Sequence, residues 1–352
     1  MQIGHSLTEG SVRRQLILFS FPFFLSSLIQ NLYMTADMLI VQWVNGAAGS
    51  SAVGIGGEIV SAFTFLIIGF ASGGTVLISQ YVGARRGEDV EQTIGTLLTL
   101  FALAAVFMTA VMYIAARPFL ILLRTPAESF ENACSYMQIC MLGNFFVFEY
   151  NAISSVLNGT GDSKRPLIFV TISGTLNVFL DLLFVAGFKM GPNGSAWATV
   201  LSQAVSFVIS AAYLIRKSSI FRLTRRNLRL SRTKVLLIIK IGFPAAVQNS
   251  ISSVSFMFLT ALINQYGYAA SAAAQLAGKF NNIAMLPSSA MSGAMAVMSG
   301  QNIGARKYER ALSCLKEGIG LSLIVGIPLF LATISFTPQF MSILARGEPE
   351  VI

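Results

Sequence analysis

The chain has 352 residues, and its 24 Lys and Arg outnumber 15 Asp and Glu to give a net charge of +9. Charged residues make up only 11% of it, against about 25% in an ordinary globular domain. With 54% hydrophobic residues and a mean hydropathy of +0.69, it has too little charge to coat a soluble protein and too much Phe, Leu, Ile and Val for a disordered or fibrous one. What remains is an all-α polytopic membrane protein. The one histidine, His5, lies in the polar N-terminal tail, and Cys134, Cys140 and Cys314 form no C-x-x-C pair. A histidine-based metal site, a Ser-His-Asp triad and a disulfide framework are therefore not expected.

A membrane-spanning helix needs about 20 mostly apolar residues. The sequence offers nine such spans, over residues 15–43, 51–79, 92–116, 133–157, 167–188, 194–217, 235–264, 271–299 and 311–336. The first follows Arg13 and Arg14 with no small-residue cleavage site after it, so it reads as a true span rather than a signal peptide. An N-terminus in the cytoplasm puts 19 of the 24 bases in inner segments, with Arg117, Arg124, Lys189 and Arg346 outside and Lys279 within a span. This bias sets the expected orientation. The basic run over 216–234 is expected to be a cytoplasmic linker facing anionic lipid, not a nucleic-acid surface. Asn158 and Asn193, each followed by Gly, read as turns between spans. Gly69 and Gly73 in the second span suit close helix packing. Pro22, Pro244 and Pro287 each remove a helix hydrogen bond and permit a bend.

The sequence is internally duplicated. SQYVGARR at 79–86 matches GQNIGARK at 300–307, an offset of 221, and Gly57 matches Gly278 at that offset. Phe21-Pro22 matches Phe243-Pro244 at 222. Two parallel repeats related by an axis along the membrane normal are expected, a transporter architecture. The expected domains are a six-helix N-lobe over 1–217, the linker 218–234, and a C-lobe over 235–352 truncated after three helices. On this reading about 90 residues of the second six-helix repeat are absent.

Ionisable groups within spans cost several kcal/mol and are functional candidates. Here they are Asp37, Glu58, Glu149, Asp181 and Lys279. Gln30, Tyr33 and Asp37 share one helix face, as do Asn177 and Asp181. Asp37, Asp181 and Thr199 all fall about 8–10 Å below the outer surface at a rise of 1.5 Å per residue. Two acids with amide and hydroxyl partners at one depth make a proton-binding site; the alternative is a structural interhelical network. Glu58 and Lys279 occupy equivalent positions of the two repeats; one reading is a charge pair across the shared cleft, the other two independent residues facing the cavity water. No metal ligand set or cofactor motif is present.

These residues resemble the multidrug and toxic compound extrusion (MATE) transporters over essentially the whole chain. The resemblance rests on Pro22 and Asp37, Gln80-Tyr81-Val82-Gly83-Ala84, Leu157 to Asp162, N-V-F-L-D at 177–181, and Gln301 to Ala305. It implies twelve helices in two V-shaped lobes that exchange protons or sodium for cationic, amphiphilic drugs. It implies that Asp37, Asn177, Asp181 and Thr199 match the proton-coupling cluster, with Gln30 as a polar partner. Sodium-coupled members similar to this chain carry an acid in span seven; Gly242 to Phe258 holds Gln248 and Asn249 but no carboxylate, so the resemblance implies a proton as coupling ion, with sodium at the N-lobe acids the less favoured alternative. The expectation is a monomeric drug antiporter in the inner membrane of a prokaryote, in contact with lipid, with Tyr33, Glu58, Lys279 and Pro22 in the cavity or its gates. A lipid or polysaccharide-precursor flippase of the same superfamily is the alternative, although the spans hold one base and four acids. A membrane-embedded enzyme fits least, since the loops are short and poor in acids.

Overall fold

The computed structural model describes residues 6–122, 125–217, 228–263, 265 and 268–344. Among the described residues the chain is helical, without strands. The helices are α1 (Val12–Gly46), α2 (Gly49–Gly83), α3 (Gly87–Leu122), α4 (Ala127–Leu142 and Asn144–Gly159, bent by 48°), and α5 (Lys164–Asp181). They continue with α6 (Pro192–Lys217), α7 (Arg232–Ile263), α8 (Tyr268–Gly304) and α9 (Tyr308–Leu344). Counting the bent α4 as one span, nine helices among the described residues are long and apolar enough to cross a membrane. They coincide with the nine spans read from hydropathy. Apolar side chains face outward along their length, as in Phe107, Ile114, Phe179 and Val208, because lipid rather than water surrounds them.

The joints differ from the expectation. Almost no loop separates α1 from α2: Gly46 takes φ 66° and ψ −162° and breaks the helix by itself, a backbone conformation open to glycine at little cost. Asn193 is not in a turn. Pro192 opens α6 and places Asn193 in its first turn, since proline suits the first helical position. The reversal before it falls on Lys189 and Gly191, at φ 55° and 62°.

The largest apolar cluster lies among α2 to α6, with Leu97, Phe101, Phe148, Ile153 and Phe169, and takes in Ile238 from α7. A second joins Leu7, Leu16 and Phe19 to Met291, Ala294, Val297 and Met298 of α8 and Leu321 of α9. The helix contacts repeat under the sequence offset. Gly69 and Gly73 of α2 seat the backbone of α7 at Ala246 and Gly242; in the counterpart, Gly293 of α8 meets Phe23 of α1. Thus α7 packs on α2 as α1 packs on α8.

The repeated motif itself is the junction. After α2, Arg85 N–H donates to Val82 O and Arg86 N–H to Tyr81 O; after α8, Arg306 N–H donates to Ile303 O and Lys307 N–H to Asn302 O. Both are Schellman turns, with Arg85 at φ 57° and Arg306 at φ 59°. A Cβ on Gly83 would overlap the carbonyl oxygen of Gln301, and one on Gly304 that of Gln80. The two glycines press backbone on backbone across the junction. At the same end Lys234 of α7, buried, pairs with Asp89 of α3 and lies 3.9 Å from the centre of the Tyr81 ring. Gly83→Ala and Gly304→Ala are expected to destabilise the protein alike, by about 1–3 kcal/mol each. Gly320→Ala, where a Cβ would meet nothing within 4 Å, should be neutral or stabilising. Thermal unfolding in detergent measures all three.

Candidate functional site

The site is built where the ends of α1, α5 and α6 remote from the Gly83–Gly304 junction meet α4. Asp37 is 8% exposed on α1, and Asp181 is fully buried as the last α-helical residue of α5. Their carboxylates are near enough to act on one another electrostatically. After Asp181 the chain runs as a π-helix over Leu182–Gly187, a wide turn common at functional sites. Val41, Val53, Val185 and Ala196 form a buried apolar cluster with Tyr136 and Cys140.

The polar partners are not arranged as the spacing suggests. Asn177 Nδ2 donates to Thr199 Oγ1 at 3.4 Å, so amide and hydroxyl serve each other. Asp181 Oδ1 and Oδ2, Asp37 Oδ1 and Asn177 Oδ1 are buried with no hydrogen-bond partner. The expected bonds from the acids to Asn177 and Thr199 are therefore not made: α5 carries Asn177 one turn before Asp181, and the π-turn leaves the carboxylate alone at the helix end. Among the described residues no Lys or Arg forms an ion pair with either acid.

Four residues join the site that the sequence reading did not include. Ser195 of α6 sits beside Asp37, though its Oγ makes no hydrogen bond. Tyr136 of α4 faces both acids and its neighbour Cys140. Gln203 of α6 faces Tyr33, which stands one turn from Asp37 on α1. The signal was in the sequence: Ser195, Thr199 and Gln203 recur at i, i+4, i+8, a polar stripe down span six, and Tyr136 and Cys140 share a face in span four.

The other expected residues lie elsewhere. Gln30 is half-buried and makes no hydrogen bond to either acid. Pro22 is buried within α1, and its carbonyl accepts from Ser26 Oγ at 2.8 Å. Glu58 is exposed on α2, while the side chain of Lys279 lies outside the described residues, and with it the charge-pair reading. Glu149 is buried on α4, its Oε1 unpartnered, and has no charged neighbour in the acid cluster. Among the described residues no group of His, Cys, Asp and Glu has the makings of a metal site.

The pattern of the MatE family matches residues 22–183 and 244–352. The chain belongs to the MatE family. The probable multidrug resistance protein YoeA of Bacillus subtilis is 29% identical over 97% of this chain and 75% of its own length. YpnP of the same organism, likewise a probable multidrug resistance protein, is 30% identical over 87% of this chain and 68% of its own. A crystal structure of a MATE transporter in complex with MaL6 superposes with a TM-score of 0.91 at 23% identity, over 98% of this chain and 77% of that one, a likeness of fold. The family makes this chain a multi-pass membrane transporter, and the unpartnered acids stand in its N-terminal half.

A carboxylate that is buried without partners weakens a protein unless function keeps it there. Asp181→Leu is expected to raise the unfolding temperature in detergent, by the equivalent of about 1–3 kcal/mol. An unchanged or lower unfolding temperature would mean that Asp181 is a stabilising structural residue.

Proposed function

We propose that the chain is a secondary antiporter that exports cationic, amphiphilic compounds in exchange for protons, with Asp37 and Asp181 as the coupling pair. The observation that carries this reading is Asp181, whose two oxygens are buried beside a second acid with neither donor nor cation to meet them. Two acids in such a place call for a proton or a cationic ligand, and exchanging one for the other is antiport. The names of the relatives support drugs as the class exported. The want of a carboxylate over residues 242–258 favours protons over sodium. No cofactor enters the scheme. The Lys and Arg bias supports a cytoplasmic N-terminus with the acids towards the outer side, and the bacterial relatives support the inner membrane of a prokaryote. The transporting unit is a monomer surrounded by lipid.

In this scheme the deprotonated pair holds the positive charge of the substrate. Protons entering from outside neutralise Asp37 and Asp181, lower the affinity for a cation, and release it there. Only a ligand that binds the two states unequally can shift their balance; the charge change at the pair supplies the difference. Tyr136 and Tyr33 stand beside the acids, with Gln203 next to Tyr33. Asp37→Asn and Asp181→Asn are each expected to abolish extrusion of a cationic dye driven by a proton gradient, with expression intact. Retention of wild-type extrusion by both variants would show the acids to be structural.

A further inference from the structure

The segment ahead of α1 has no helix of its own to satisfy it, yet its backbone is bonded residue by residue to the turn between α8 and α9. Leu7 N–H donates to Gln301 Oε1 at 3.0 Å, and Leu7 O accepts from Asn302 Nδ2 at 3.3 Å. Thr8 O accepts from Lys307 Nζ at 2.9 Å. Glu9 O and Gly10 O accept from the two terminal nitrogens of Arg310 at 3.0 and 2.7 Å. Arg310 reaches Gln15 Oε1 as well, at 2.9 Å, inside the first turn of α1. Four consecutive carbonyls are thus held by side chains some 300 positions away in sequence. The Leu7 side chain is buried in the cluster with Leu16, Met298 and Cys314, and the Gln301 amide also donates to Gly159 O at the end of α4, at 3.4 Å.

The other repeat has a counterpart made differently. Position 89 corresponds to 310 at the 221 offset. There Asp89 binds Lys234, and Thr96 Oγ1 donates to Arg229 O while accepting from Ser231 N–H. Each repeat's entry segment is therefore clasped by the turn of the other repeat. One clasp is the Asp89–Lys234 ion pair with the two main-chain hydrogen bonds of Thr96; the other is a run of side chains, the Arg310 guanidinium among them, along four consecutive carbonyls.

We propose that residues Leu7–Gly10 are the latch of the cytoplasmic gate, with Arg310 and Gln301 as the residues that position it. While the latch is seated, the α1–α8 contact and the Gly83–Gly304 junction stay closed on the side of the N-terminus. Rocking of one repeat against the other about the central site separates α1 from α8 and α9, so the latch leaves its seat whenever the transporter opens to the cytoplasm. The inference rests on the transporter reading and the orientation proposed above.

The test uses the full-length protein with its native cysteines replaced by alanine. A variant carrying Thr8→Cys and Lys307→Cys is joined by a short bifunctional maleimide and reconstituted. The linked protein is expected to bind a cationic dye like the unlinked one but to extrude none. Linked protein that extrudes dye at the unlinked rate would overturn the latch. Separately, Leu7→Cys is labelled with a membrane-impermeant maleimide in inside-out vesicles. Labelling should be slow at rest and at least several-fold faster after adding Arg310→Gln, with Arg310→Lys, which keeps the charge but not the fork, in between. Equal labelling in all three would overturn the proposal. An unlinked protein that binds dye but moves none would instead sink the transporter reading, and the labelling series would still decide whether Arg310 seats the segment.

Discussion

Hydrocarbon offers an ionised carboxylate nothing to bond to, and Asp181 sits in it fully buried, with both oxygens unpartnered and Asp37 close by. Such a group costs several kcal/mol, and a lysine or arginine from a neighbouring helix would remove most of that cost. Among the described residues none pairs with it. The stability that tolerates this vacancy comes from elsewhere: from the aliphatic and aromatic cluster of α2 to α6 and from the backbone junction at Gly83 and Gly304. The site and the scaffold thus have opposite demands, and they are placed at opposite ends of the helices.

One helix belongs to both. Near its start, Leu16 and Phe19 of α1 pack with α8 and α9, and the preceding residues are clasped by Arg310. Towards its other end, Ile29 and Tyr33 pack on Gly174 of α5, and Asp37 stands beside Ser195 of α6. Pro22 lies between the two regions and lacks the N–H that would stiffen the turn. On the proposed mechanism, a change of charge at Asp37 that shifts this part of α1 would reach the seat near its start through the helix itself.

The spans were legible because lipid demands unbroken apolar stretches of a set length, and hydropathy reads those directly. The duplication was legible in a few residues whose physical task is demanding. The Q-x-x-G-A-R turn needs a left-handed Arg85 or Arg306 and a glycine that meets the opposite backbone, so both copies keep the same letters. Depth along the helices was enough to bring Asp37 towards Asp181. Depth says nothing of direction, however, and so could not foresee that Asn177 and Thr199 would bond each other, or that Gln30 would make no bond to the acids. The π-turn after Asp181 has no hydropathy signature, and the break at Gly46 reads like any other glycine near a span end. The clasp on the N-terminal segment joins backbone to side chains some 300 positions away at the facing ends of α8 and α9, and nothing in the sequence ties the two together.

Proton release on substrate binding bears most directly on the account. Purified protein in weakly buffered detergent, with a pH indicator, should release protons when a cationic substrate is added, and lose that release when Asp37→Asn and Asp181→Asn are combined. Substrate binding with no proton release, or release that persists unchanged in the double variant, would contradict the claim that these two acids exchange a proton for the cation.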